Sequence, residues 1–194
     1  DIMQQQGERM ARLIDDLLSL SRLEMRPVVS LDKRVDLRTV SDDVIDALRP
    51  LASDLGVAIE KSYLREESFP IAGVRDELIQ VAENLIENAC KYGQTGGRVV
   101  VSLRNEAGET RFSVRDFGPG IAEEHIPRLT ERFYRVDAGA SRAQKGTGLG
   151  LAIVKHILTR HRASLKIISS QGDGAEFVVN FPTPGPVSIS AFDR

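Results

Sequence analysis

The sequence predicts an α+β fold, an α/β sandwich in which helices cover one face of a mixed β-sheet, with a bundle or coiled-coil helix at the N-terminal end. Two observations lead to this class. Helix-like and strand-like segments are mixed along the 194 residues without a strict βαβ alternation. Alternating segments also occur in pairs joined by short loops that contain glycine, which is typical of antiparallel hairpins.

The first element is a helix over residues 4–24. Four apolar residues recur at the three- and four-residue spacing of a coiled-coil or bundle seam: Met10, Leu13, Leu17 and Leu20. A single helix of this length cannot bury a wide apolar stripe by itself. We therefore expect it to pair with another helix, either upstream in the same chain or in another subunit. Pro27 ends this helix at or near Arg26.

The other elements lie in residues 36–182. We predict a helix at 36–56, a strand at 57–64, a helix at 74–93, two strands within 98–118, a helix at 149–163 and two strands within 164–182. Pro50 falls inside the helix at 36–56 and is expected to kink or shorten it. The predicted division of the chain is 1–26 for the first helix, 27–35 for a linker, 36–182 for the main domain and 183–194 for a tail that frays.

Composition excludes several kinds of function. A net charge of −2 creates no field that would attract nucleic acid or anionic lipid. No run of 18 or more apolar residues is present, so we expect no membrane span. Cys90 is the one cysteine, and we expect it to be a reduced core residue in a cytosolic setting. Because the chain begins within a helical pattern and without methionine, we interpret it as part of a longer protein.

A polar stripe runs along the helix predicted at 74–93. In its segment "NLIENACKYG" (84–93), Asn84, Asn88 and Lys91 fall within a narrow arc at about 100° per residue, and apolar residues cover the opposite arc. An asparagine oxygen can bind a hydrated Mg²⁺ that shares its shell with phosphates, and a lysine can neutralise phosphate charge. The alternative is a solvated helix face with two incidental amides.

The stretch "DFGPGI" (116–121) directly follows a predicted strand. Asp116 ends that strand, and Gly118 and Gly120 let the backbone turn tightly and approach a ligand closely. A carboxylate above such a turn can accept a hydrogen bond from an exocyclic amino group, and adenine carries one. The alternative is an ordinary Asp-X-Gly turn.

The stretch "KGTGLGLAIVKHI" (145–157) places three glycines before a helix. Free N–H groups and the helix dipole make such a site ready for phosphate. The stretch is not a Walker P-loop, and no strand immediately precedes it as in a dinucleotide-binding fingerprint. The alternative is a flexible loop leading into a helix.

A long and weakly periodic segment, 123–144, separates the two glycine-containing stretches. Loops of this length in compact domains are usually functional lids or disordered. Its basic residues could fold over a polyphosphate, and Phe133 and Tyr134 could anchor it on the core. They are Arg132, Arg135 and Arg142, with Lys145 just beyond. The alternative is a surface loop with ordinary arginines.

Taken together, these stretches resemble the ATP-binding catalytic domain of sensor histidine kinases, within the GHKL ATPase superfamily. "NLIENACKYG" resembles the N box of that family, "DFGPGI" its G1 box, "ERFYRVD" its F box and "GTGLGLAIVKHI" its G2 box. The resemblance covers about residues 35–182, and "GDGAEFVVNFP" resembles the closing strand, with Ala175 where threonine is common. Residues 4–24 resemble the second helix of the dimerisation and phosphotransfer hairpin.

The resemblance implies a site for ATP and Mg²⁺ on the helix side of the sheet. Asn88 would coordinate Mg²⁺, with Asn84 and Lys91 as the other catalytic residues. Asp116 would bind the adenine amino group, and Lys91 and Tyr92 would contact phosphate and ribose or adenine. The implied nucleotide-binding residues are Asn84, Asn88, Lys91, Tyr92, Asp116, Gly118, Gly120, Ile121, Arg132, Phe133, Arg135, Lys145, Gly146, Thr147, Gly148, Leu149 and Gly150.

The implied reaction is transfer of the ATP γ-phosphoryl group to a histidine, followed by relay to an aspartate of a response-regulator receiver domain. Neither His125, His156 nor His161 lies in the family's phosphoacceptor context, so we expect the acceptor helix to precede Asp1. The implied partners are ATP or ADP, a second copy bound through the hairpin helices, and the receiver domain, with no nucleic acid. This part of the protein would be cytoplasmic, and the resemblance is compatible with an anchor in the bacterial inner membrane.

Three alternatives remain open. A GHKL-type Ser/Thr kinase is disfavoured by the helix at 4–24, and a pseudokinase scaffold is disfavoured by the intact boxes. A purely structural bundle protein leaves the glycine-containing boxes unexplained. In gyrase- and MutL-type relatives a glutamate at the position of Asn84 activates water, and an amide cannot act as a general base. Glu83 and Glu87 point about 100° and 60° away from Asn84, which favours transfer over hydrolysis.

Overall fold

The computed structural model describes residues 2–25, 31, 33–106, 108–136 and 146–183. Its helices are α1 (Ile2–Met25), α2 (Leu37–Asp54), α3 (Arg75–Tyr92) and α4 (Gly150–Arg160), and Gln94–Gly96 and Glu123–Arg128 form short 3₁₀ helices. Its strands are β1 (Arg34–Asp36), β2 (Ala58–Ser62), β3 (Pro70–Ala72), β4 (Arg98–Glu106), β5 (Glu109–Asp116), β6 (Ser164–Ser169) and β7 (Ala175–Pro182).

Five strands form the main sheet, in the order β2-β4-β5-β7-β6. Strand β2 runs parallel to β4, and the other neighbours are antiparallel, with Val101 opposite Val114 and Phe112 opposite Val179. On β4, Val99, Val101 and Leu103 are buried while the residues between them are half-buried. Helices α2, α3 and α4 bury their apolar residues in the same core. The structure confirms the α/β sandwich with a mixed sheet.

Helix α1 packs on the main domain through the end of its apolar stripe. Leu20 and Leu23 are buried in the core, and Leu13 is partly buried against it. Met10 and Leu17, two other residues of the predicted seam, are exposed. The seam is therefore divided, because the end of α1 packs on α4, where Arg160 donates to the Leu23 carbonyl, while Met10 and Leu17 are exposed.

Two short strands are absent from the sequence prediction. Strand β1 lies in residues 34–36, most of which we assign to a linker, and it pairs antiparallel with β3. Each has three residues, which is too short for an alternating pattern to be recognised. Asp36 then caps α2 by accepting from the Arg38 N–H at 2.9 Å, and Pro50 lies inside α2 without ending it. Within the described part of the chain, no helix combines the length and apolarity needed to cross a membrane.

Candidate functional site

A cavity of about 520 Å³ opens between α3, the turn after β5 and the loop before α4. This volume is in the range of small-molecule and cofactor sites. Twelve residues proposed from the sequence line it: Asn84, Asn88, Lys91, Tyr92, Asp116, Gly120, Ile121, Arg135, Gly146, Thr147, Gly148 and Gly150. Segments separated by more than sixty residues in the chain therefore meet at one concave surface.

Helix α3 supplies the amide-bearing wall of the cavity. Asn84 Nδ2 donates to the Gln80 carbonyl one turn earlier, at 2.8 Å, which holds the side chain in place. Its Oδ1 lies against Gly150 at the start of α4, where a Cβ atom would come within 2.4 Å. Because Gly150 has no side chain, the amide helix and the glycine-containing loop can approach this closely.

Lys91 and Glu87 form an ion pair on the same wall, with the Nζ and Oε1 atoms 2.5 Å apart. Glu87 also lines the cavity. No group of three His, Cys, Asp or Glu side chains that could hold a metal ion is found among the described residues. Mg²⁺ does not need such a cage, since it keeps several waters and binds one or two protein oxygens together with phosphates. The side-chain oxygens of Asn88 and Glu87, which both line the cavity, suit this way of binding Mg²⁺.

Asp116 lies at the end of β5 and is only 5% exposed. Burial raises the pKa of its carboxyl above the ordinary value because it disfavours the charged form. Two backbone hydrogen bonds oppose this effect, since the Gly118 and Ala175 N–H groups donate to Oδ1 at 2.9 and 3.3 Å. Both bonds use Oδ1, so Oδ2 is the oxygen that could accept from a ligand in the cavity.

The loop before α4 is attached to the segment that the sequence predicts as a lid. The Phe133 N–H donates to the Gly148 carbonyl at 2.9 Å, and Arg135 Nη1 donates to the Gly146 carbonyl at 3.1 Å. Gly148 has a φ of +75°, and a Cβ atom there would lie 2.9 Å from the Phe133 Cα. This position therefore requires glycine for both its conformation and its packing.

Thr147 joins the same loop to the first helix. Its Oγ1 lies 2.5 Å from Asp16 Oδ2 on α1, and the Leu149 N–H donates to the same hydroxyl oxygen at 3.3 Å. Asp16 and Arg12 also line the cavity, one helical turn apart. Helix α1 thus forms part of the wall, which the sequence did not lead us to expect.

Four of the proposed residues do not line the cavity, and a fifth is not among the described residues. Gly118 contacts Asp116 beside the cavity, Leu149 is fully buried in the core, and Arg132 pairs with Glu24 of α1. Phe133 is 58% exposed with a φ of +62°. The fifth, Lys145, lies outside the described residues.

The next aromatic, Tyr134, lines the cavity in place of Phe133. Its hydroxyl lies 2.7 Å from His125 Nδ1, and the Arg128 guanidinium stacks over its ring at 4.1 Å. Sequence reasoning gave no nucleotide role to Tyr134, Glu87, Arg12 or Asp16. The only signal for the last two is their i, i+4 spacing on α1, which is also ordinary for a solvated helix face.

Comparison with known proteins places this geometry in a family. The family described as histidine kinase-, DNA gyrase B-, and HSP90-like ATPase matches residues 73–185. The phosphate regulon sensor protein PhoR of Pseudomonas aeruginosa is 36% identical over 192 residues, covering 99% of this chain and 42% of that protein. The sensor protein SrrB of Staphylococcus aureus is 32% identical over 184 residues, covering 94% and 31%.

A solved structure shows the same relationship. The crystal structure of full-length ShkA in complex with AMPPNP superimposes with a TM-score of 0.76 at 28% identity, covering 93% of this chain and 38% of that one. The present chain therefore spans less than half the length of each of these three relatives.

Proposed function

The chain belongs to the histidine kinase-, DNA gyrase B- and HSP90-like ATPase family, and we propose that it is the ATP-binding catalytic part of a sensor histidine kinase. In this proposal it transfers the γ-phosphoryl group of ATP to a histidine, for relay to an aspartate of a response-regulator receiver domain. The observation that carries the proposal is the convergence of Asn84, Asn88, Asp116 and the glycine-containing loop 146–150 on one cavity.

The polar groups of the cavity match the parts of ATP. Asp116 accepts from the adenine amino group, and the loop 146–150 offers backbone N–H groups and the Thr147 hydroxyl to phosphates. Asn88 would supply an amide oxygen to Mg²⁺, whose charge would neutralise that of the phosphates. Lys91 can exchange its contact with Glu87 for a phosphate. These residues therefore act by positioning and by charge neutralisation.

The need for a metal ion follows from the charges of the wall. Among the described lining residues, three are cationic (Arg12, Lys91 and Arg135) and three are anionic (Asp16, Glu87 and Asp116). Such a wall does not by itself neutralise a triphosphate. This supports a site that binds the nucleotide together with Mg²⁺.

Transfer is supported over hydrolysis by the character of α3. Asn84 is an amide and cannot remove a proton from water. Glu87 also lines the cavity and is paired with Lys91 at 2.5 Å, a contact that Lys91 gives up when it binds a phosphate, so the support for transfer comes from Asn84. A GHKL-type Ser/Thr kinase is not favoured, because the two relatives PhoR and SrrB are sensor proteins.

We place the phosphoacceptor outside the three histidines of this chain. His161 is buried, with Nδ1 2.8 Å from the Ile157 carbonyl and Nε2 accepting from the Val74 N–H. His125 is bonded to Tyr134, and His156 lies on α4, 3.8 Å from Glu24. In the same proposal, residues 1–26 belong to the dimerisation and phosphotransfer hairpin, 27–35 to a linker and 36–182 to the catalytic domain. Dimerisation through α1 and a cytoplasmic location complete it.

A phosphotransfer assay tests this function. The chain is mixed with Mg²⁺, γ-labelled ATP and a separately made hairpin that carries the preceding helix of the same gene. We expect acid-labile, base-stable label on the hairpin and none on this chain. ATP binding without any label would favour a scaffold, and acid-stable label on Ser or Thr would favour the other kinase class.

The variant Asn88→Ala is the matched negative control for that assay. Removing the amide oxygen takes away the proposed Mg²⁺ ligand, so transfer should be abolished and the Mg²⁺-dependent part of ATP binding should weaken by about tenfold or more. Calorimetric titration with and without Mg²⁺ measures the binding. Undiminished transfer in this variant would remove Asn88 from the mechanism.

A further inference from the structure

Helix α1 reaches a group that the proposed site needs for phosphate. The Thr147 hydroxyl and the Asp16 carboxylate are 2.5 Å apart, and both residues line the cavity. The Leu149 N–H already donates to the Thr147 oxygen. The single hydroxyl proton of Thr147 therefore goes to Asp16.

This contact is one of several that hold α1 against the domain. Leu20 and Leu23 are buried in the shared core, and Arg160 Nη1 donates to the Leu23 carbonyl at 3.3 Å. Ser19 and Gln80 of α3 are hydrogen-bonded side chain to side chain at 2.9 Å. The position of Asp16 is therefore set by the packing of the whole helix and not by its own hydrogen bond alone.

Further along α1, Glu24 pairs with Arg132 of the lid segment and lies 3.8 Å from His156 of α4. The same helix thus contacts the lid segment, the glycine-containing loop and the cavity. A ligand that enters the cavity can therefore change the packing of α1, because side chains of α1 contact the elements that line the cavity.

A nucleotide phosphate and Asp16 cannot both use Thr147. A hydroxyl donates one proton, so a phosphate oxygen that accepts it must displace the carboxylate. An Asp16 that remained in place would also set a negative charge beside the phosphate. Arg12 lies on the same helix face, but its Nε donates to the Glu8 carbonyl at 3.4 Å within α1. Asp16, in contrast, accepts a hydrogen bond from the Thr147 hydroxyl of the loop.

We propose that Asp16 is an internal competitor of the nucleotide phosphates, so that the Asp16 carboxylate and a phosphate exclude each other at the Thr147 hydroxyl. This inference rests on the proposed function, since it assumes that phosphates bind at the loop 146–150. Asp16 is an affinity-setting residue and takes no part in the chemistry. By linkage, whatever releases α1 strengthens ATP binding, and ATP binding loosens α1.

The variant Asp16→Ala tests the competition, with Asp15→Ala as its matched control. Asp15 is the exposed neighbour on the same helix, so both changes remove one negative charge and introduce alanine. We expect Asp16→Ala to bind MgATP about three- to tenfold more tightly than wild type, as expected for losing a partly exposed charged hydrogen-bond partner. Asp15→Ala should remain within about twofold of wild type.

Adenosine separates this mechanism from a general change of the cavity. It lacks phosphates, so its affinity should be equal in both variants and in wild type, to within about twofold. Hydrogen exchange of the α1 amides in wild type should become faster when MgATP binds and stay unchanged with adenosine. Circular dichroism of each variant confirms that the fold is retained.

The outcomes distinguish the two proposals. Equal MgATP affinity in Asp16→Ala and Asp15→Ala, or an equal gain for adenosine, would overturn the competition while leaving the nucleotide site intact. Protection of α1 by MgATP would overturn it as well. Failure of every variant, wild type included, to bind either ligand would overturn the proposed function, and this inference with it.

Discussion

At the scale of residues, Asp116 shows a conflict between stability and binding. Its carboxylate is buried at the end of β5, where burial raises its pKa and two N–H groups stabilise the charge only in part. A buried acceptor that is incompletely paired costs stability and is available to a ligand. We infer that Asp116 serves recognition of a ligand and not the stability of the fold.

The variant Asp116→Asn is expected to separate the two effects. The amide keeps an oxygen for the Gly118 and Ala175 N–H groups but presents N–H donors where the adenine amino group needs an acceptor. ATP affinity should fall roughly tenfold or more, and preference for adenine over guanine nucleotides should be reduced. Competition titrations with ATP and GTP measure both. An unchanged adenine preference would show that Asp116 is not the adenine contact.

The same variant carries a pH signature. Because the folded pKa of Asp116 is raised, the folded state holds its proton at a pH where the unfolded state, with a pKa of about 3.9, has lost it. The free energy of unfolding contributed by Asp116 therefore falls as pH rises through the interval between these two values. Urea unfolding of wild type and Asp116→Asn across that interval should show that the free energy of unfolding of the wild type falls relative to that of the variant as pH rises. A constant difference would contradict this.

At the scale of elements, the loop before α4 is shaped by its packing on the lid segment. Gly148 has a left-handed φ of +75°, and its missing Cβ leaves room for the Phe133 backbone. Gly97 has a similar φ of +68° but would place a Cβ in open space. The two glycines thus differ in packing and share the same conformational requirement.

Alanine at these two positions should have different effects on binding. Both changes cost about 1–2 kcal/mol of backbone strain. Gly148→Ala must also displace Phe133, so we expect MgATP affinity to fall about tenfold, whereas Gly97→Ala should leave it within about twofold. Urea unfolding and calorimetric titration of both variants measure the two quantities. Equal binding losses would mean that strain alone, and not the contact with the lid segment, shapes the loop.

At the scale of the whole molecule, the site joins elements that are distant in the chain. Helices α1, α3 and α4 and strands β5 and β7 all contribute lining residues. A ligand that contacts all of them binds only the folded chain and should stabilise it by mass action.

Thermal unfolding with MgATP measures that linkage. At a free concentration of about 100 times Kd, the stabilisation is about 2.7 kcal/mol. For a chain of this size the midpoint should then rise by about 5–10 °C. With a roughly tenfold weaker affinity, the variant Asp116→Asn should show no more than about half of this rise at the same concentration. An equal rise in that variant would place the nucleotide elsewhere on the molecule.

The sequence by itself determined the fold class, the long elements and most of the cavity wall. Helix α3 and strands β4, β5 and β7 are long enough for their periods of 3.6 and two residues to be read. The glycines and asparagines of the site can also be recognised from the sequence, because the conformational freedom of glycine and the hydrogen-bonding groups of asparagine belong to the residue itself.

Tertiary structure decided the contacts that no local pattern encodes. Strands β1 and β3 exist because they pair, Tyr134 faces the cavity while Phe133 does not, and Asp16 meets Thr147 across 131 positions of sequence. Each depends on where two distant segments pack, and the amphipathic pattern of α1 is equally compatible with solvent, with a partner helix or with the cavity. Tertiary packing decides between these environments, because the apolar surface of α1 is buried and its polar groups find partners only in the assembled fold.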